Sequence, residues 1–117
     1  MKAYTDIEQS KKLSEFLSLE SADMYYEPSA GFRTEPSEAK FGDFEYAHPR
    51  SIRCWGLAAL LDVLPFPNLS KDKLGSDKEG WMVSVYPDNC RYDSCWHDNP
   101  VDACVEMIVK LNEMNLL

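Results

Sequence analysis

The apolar positions of this chain repeat with two different periods, and the switches between them mark its elements. From Pro100 onward, Val101, Cys104, Val105, Ile108 and Leu111 follow the three-and-four spacing of one helix face. Asn99 can cap that helix, Pro100 fills a first-turn position that needs no N–H, and Asp102 stands near the positive end of the helix dipole. Glu106 and Lys110 fall at i,i+4 on its polar face and predict an ion pair. Upstream the period drops to two. Trp81 to Tyr86 and Arg91 to His97 flank the turn residues Pro87-Asp88-Asn89-Cys90, which predicts a hairpin. Pairing Tyr86 with Arg91 sets Val85 opposite Tyr92, Val83 opposite Ser94 and Trp81 opposite Trp96. A slip of one residue would set Val83 against Asp93, so burial of the apolar face selects the register.

The first half has weaker patterning. Thr5 followed by Glu8 reads as a capping box that starts a helix over Asp6 to Leu17, with Ile7, Leu13, Phe16 and Leu17 inward. Ala22 to Glu27 and Gly42 to Ala47 alternate enough for two weak strands, and Pro28 to Lys40 forms a long connection between them. Cys54 to Leu64 carries one charge, Asp62, and predicts a helix covered on nearly all sides as the central core element. Pro65 and Pro67 stop it, and Asn68 to Gly80 reads as a polar loop. The order helix, two weak strands, helix, two strong strands, helix predicts an α+β fold in which three helices cover one mostly antiparallel sheet. No residue-level repeat supports a duplication of the helix-strand-strand unit.

Composition narrows the function classes. The 117 residues fit one domain spanning 1–117, and fourteen aromatics (three Trp, six Tyr, five Phe) suffice to fill an interior. A formal net charge of −8 opposes direct binding of nucleic acid or of an anionic membrane surface. Acidic residues outnumber basic ones equally in both halves, so no charged tail stands out. The opening residues hold no apolar signal segment and no run approaches a membrane span, so the expectation is a cytoplasmic chain whose four cysteines stay reduced.

Cys54-Trp55-Gly56-Leu57-Ala58-Ala59-Leu60-Leu61-Asp62-Val63-Leu64-Pro65 and Asp98-Asn99-Pro100-Val101-Asp102-Ala103-Cys104 resemble a family of small uncharacterised proteins of gut Bacteroides and relatives. Tyr4 to Leu13 and Ser21 to Tyr26 share the resemblance, which covers most of the chain. It implies a bacterial cytoplasmic setting and a gene often borne on mobile elements. It implies no functional residue, because the shared motifs coincide with caps and core positions.

Three function classes remain. Tyr25, Tyr26, Phe32, Phe41, Phe44 and Tyr46 crowd around the long connection, and aromatic-rich loops often carry binding hot spots. They support a non-enzymatic protein-binding or accessory factor, whose partner is another protein; the competing use of these rings is closure over the core. The second class is a thiol hydrolase. Cys54-Trp55 at a helix start resembles papain-like cysteine peptidases, where the dipole lowers the thiol pKa and His97, or else His48, takes the proton. The Gly, Ser and Cys before that Trp are absent, Arg53 precedes Cys54, and a packed core thiol is the favoured use of Cys54. The third is an acidic DNA mimic, which needs rows of carboxylates at phosphate-like spacing. Cys90, Cys95, His97 and Cys104 lack metal-ligand spacing, so no metal and no cofactor is expected.

Overall fold

The chain runs α1 (Ile7–Ser14), a 3-10 turn (Leu19–Ser21), β1 (Met24–Tyr26), β2 (Ser37–Glu38), β3 (Ile52–Cys54), α2 (Leu57–Val63), β4 (Asn68–Lys73), β5 (Glu79–Val85), β6 (Tyr92–Asp93) and α3 (Pro100–Glu113). This is an α+β fold, seen in a computed structural model that describes residues 1–26, 37–38, 51–73 and 79–117. The weak strand expected over Gly42 to Ala47 lies outside the described residues. The strands divide into two antiparallel sheets, ordered β2-β1-β3 and β4-β5-β6, where the sequence predicts one. The division arises because β3 and β4, hidden inside an apolar run and a polar run respectively, each give their neighbours a new partner.

In place of a helix starting at Cys54, residues 52–54 extend and pair with β1, Met24 opposite Cys54 and Tyr26 opposite Ile52. The cause is long-range. Thr5 N–H donates to the Trp55 carbonyl at 2.9 Å and Trp55 N–H donates back to Thr5 Oγ1 at 3.1 Å, which holds the segment straight until Gly56. Gly56 is the N-cap of α2, and its N–H donates to Asp23 Oδ1 at 2.7 Å. A Cβ at position 56 would lie 2.9 Å from Asp23 Oδ2, so a larger residue there would have to push the carboxylate away from its bond to the N–H. The same engagement of Thr5 moves the first cap one residue on. Asp6, not Thr5, caps α1 and exchanges bonds with Gln9 in a capping box, and the helix stops at Ser14 rather than Leu17.

Asn68–Lys73, expected as loop, is a strand with six pairs to β5, from Asn68 opposite Ser84 to Lys73 opposite Glu79. Only Leu69 in it packs on the core, so its sequence carries no apolar alternation to announce it. On the other side of β5, Val85 faces Tyr92 as predicted. Trp81, however, pairs with His97 instead of Trp96, with backbone bonds of 2.7 and 2.9 Å. A bulge absorbs the extra residue: Val83 N–H donates to the side-chain oxygen of Ser94 at 3.0 Å, and Ser94 Oγ donates to the Cys95 carbonyl at 2.8 Å.

The central core element is α3, not α2. Eight of its residues are buried, including all five of the predicted stripe, against two in α2. It packs on α2 and on β5, where Val83 and Val85 are fully covered. Its start follows the sequence: Asn99 Oδ1 accepts from Asp102 N–H at 2.9 Å and Pro100 occupies the first turn. Asp102 also accepts from Lys2 Nζ and Gln9 Nε2, both at 2.8 Å, and so ties both ends of the chain together. The expected Glu106–Lys110 pair does not form, because Glu106 turns to His97 and Lys110 donates to the Asp93 carbonyl.

Partial burial raises the Asp102 pKa, but hydrogen bonds from Lys2, Gln9 and Asn99 outweigh it and hold the carboxyl below its usual value. Because the folded pKa is depressed, its stabilisation is complete above the unfolded value of about 3.9 and is lost as pH falls through the folded value. Asp102→Asn should therefore lower the urea midpoint at neutral pH and flatten its decline below about pH 4; an unchanged acid slope would contradict this.

Candidate functional site

Cys54 ends β3 facing inward, at 0% exposure. Its thiol donates to the Thr5 carbonyl at 3.3 Å and lies 3.5 Å from Thr5 Oγ1, which is 2.8 Å from Ser10 Oγ. Tyr26, 2% exposed, donates its phenol O–H to the same Thr5 carbonyl at 2.7 Å. Burial pushes the Cys54 thiol pKa up, and donors from Thr5, Ser10 and Tyr26 offset this only in part. Burial, with Cys54 as neighbour, likewise raises the Tyr26 phenol. The thiol is dry and sits on a strand rather than at a helix start, an environment opposite to the electropositive, open setting that activates a cysteine.

His97 belongs to a different cluster. Its Nε2 meets Glu106 Oε1 at 2.9 Å, while Glu106 Oε2 accepts the Cys95 N–H at 2.9 Å. Partial burial would raise the Glu106 carboxyl, but these bonds outweigh it and hold it below its usual value. The clamp fixes the bulged strand end onto α3, and His97 is not among the polar neighbours of Cys54. Cys54 and His97, paired in the sequence reading, thus take their hydrogen bonds from separate sets of residues. His48, Phe32, Phe41, Phe44 and Tyr46 lie outside the described residues, and Tyr25 stands half-buried on β1.

Cys90 and Cys95 are exposed, whereas Cys104 is buried in α3, where desolvation pushes its thiol up to about 12. Among the described residues no group of three His, Cys, Asp or Glu side chains could hold a metal ion. An open hollow of about 400 Å³ carries Glu20, Asp23 and Asp62 around small side chains, and Asp23 is already engaged by Gly56. Among the described residues no helix is long and apolar enough to cross a membrane.

Pro65-Phe66-Pro67, between α2 and β4, holds the feature that sequence reading used only as a helix stop. Phe66 is 80% exposed and sits at φ 49°, in the left-handed region. Both facts run against its chemistry: a bulky side chain disfavours positive φ, a following proline disfavours it further, and exposure wastes an apolar ring. The turn is pinned because Tyr86 N–H donates to the Pro65 carbonyl at 3.2 Å, which brings the exposed Tyr86 beside it. A Phe between two prolines at the edge of a polar stretch was the available signal. Comparison with protein families, with curated proteins and with solved structures finds no match to this chain.

In folded protein at neutral pH, iodoacetamide should label Cys90 and Cys95 readily, with Cys54 and Cys104 reacting only once urea exposes them. Peptide mapping that finds Cys54 alkylated in the folded chain as fast as Cys95 would contradict the buried-thiol assignment.

Proposed function

We infer that this chain is a non-enzymatic factor that works by binding another protein, with Phe66 as an anchor. The observation that carries this reading is the combination at Phe66 of full display and a strained backbone. Strain retained at a position that contributes little to the core points to a use outside the folded monomer. A phenylalanine buried at an interface supplies about 1.5–3 kcal/mol, enough for a hot spot. Tyr86, whose backbone N–H pins the turn, is also exposed. Of the aromatic segment from Tyr25 to Tyr46 expected from the sequence as a binding surface, Tyr26 is buried with its hydroxyl on the Thr5 carbonyl and is withdrawn, which leaves Tyr25 with Phe32, Phe41, Phe44 and Tyr46 as a second expected surface. A cytoplasmic setting and an accessory role for a mobile element complete the proposal and rest on the Cys54–Pro65 and Asp98–Cys104 segments read as sequence alone.

Phe66→Gly tests the reading, since glycine accepts positive φ without penalty. Relief of strain should leave the urea midpoint unchanged or raise stability by about 1 kcal/mol, while a partner retained by the tagged wild-type chain from extracts of its source cell is lost. Retention of that partner by Phe66→Gly, or a clear fall in stability, would contradict it.

A further inference from the structure

We propose that the outer edge of β4 takes up an extended, acidic segment of the partner protein as an added antiparallel strand, next to the Phe66 anchor. This rests on the protein-binding reading above and names the chemistry of the partner. Strand order β4-β5-β6 leaves β4 at an edge, and among the described residues no strand pairs with its outer side. At six residues it has a strand's length of backbone, and although Asp72 Oδ1 takes the Lys73 N–H at 2.7 Å, its outward groups nearer Asn68 are ones that another extended backbone can match at ladder spacing. The opposite edge strand, β6, has two residues, and the bulge and the His97–Glu106 clamp close that side of the sheet.

Charge selects the occupant. Lys71 and Lys73 fall on one face of β4 and both are exposed, in a chain whose net charge is −8. The Lys71 ammonium rests 5.1 Å from the Trp81 ring centre and 3.0 Å from Glu79, an exposed ion pair of little strength that leaves it available to a second carboxylate. Asp72 points to the opposite face. Acidic side chains at alternate positions of an added strand would meet both lysines, while its residues nearer Asn68 reach the apolar surface of Phe66 and Tyr86. A second copy of this chain fits poorly, because it would set the lysine pairs of two copies on one edge.

Panning a phage-displayed library of random linear peptides on the folded full chain tests the proposal. Enriched peptides should be free of proline and alternate acidic with apolar residues. They should slow hydrogen exchange of amides within Asn68–Lys73 by about tenfold or more. N-methylation of the peptide backbone at every second residue should abolish binding, and the double variant Lys71→Glu, Lys73→Glu should weaken it by about tenfold. The proposal is overturned if no peptide is enriched, if enriched peptides leave β4 exchange unchanged, if N-methylated forms bind as well, or if the chain alone protects β4 by dimerising. A peptide that requires Phe66 yet leaves β4 exchange untouched would remove strand addition and leave Phe66-mediated binding standing.

Discussion

The fold depends on one buried threonine. Thr5 brings a carbonyl, an N–H and a hydroxyl into an interior that water does not reach, and every one of them finds a partner: Tyr26 and Cys54 at the carbonyl, the Trp55 carbonyl at the N–H, and Ser10, Cys54 and the Trp55 N–H at the hydroxyl. A half-satisfied set of this kind would cost more than an apolar core, so its completeness is what makes it stabilising. Through it the opening residues, α1, β1 and β3 share one point. The flanking Tyr4–Gly56 bridge, with Leu57 N–H donating to Ala3, extends the seam.

Its consequences reach the chemistry. Because Thr5 draws Cys54 inward, the thiol serves as a weak donor in a dry cluster, and Tyr26 is spent in the same place. The other sheet is organised around α3, where Ser94 and Glu106 convert a register conflict into a stable bulge. With His97 and the buried sulfurs of Cys54 and Cys104 held in the architecture, the described residues also present an exposed ring on a strained turn and a β4 edge that no described strand covers.

Elements whose signals are local were legible in the sequence. The cap Asn99, Pro100 and the stripe from Val101 to Leu111 describe α3 almost to the residue, because a helix start and an apolar face are encoded within a few positions. Val85 opposite Tyr92 was legible because only one register buries the apolar face. Elements created by distant partners were not. Nothing near Cys54 states that Thr5 will pair with Trp55, so a strand was read as a helix start. Nothing in Asn-Leu-Ser-Lys-Asp-Lys states that β5 will pair with it, so an edge strand was read as a loop. The bulge at Ser94 was hidden for a related reason: a hydroxyl replaced a backbone carbonyl as acceptor, and register arithmetic counts only backbones. Of the candidate site, Phe66 was visible between its prolines, but its positive φ emerges only once Tyr86 pins Pro65.

The central claim is that the hydroxyl of Thr5, rather than its bulk, organises the seam, and urea denaturation of Thr5→Val beside Thr5→Ser measures it most directly. Valine keeps the shape but leaves the Trp55 N–H without its acceptor and the Ser10 hydroxyl without its partner, so a loss of about 1–3 kcal/mol is predicted, with serine retaining most of the stability. A Thr5→Val chain as stable as the wild type would contradict the account.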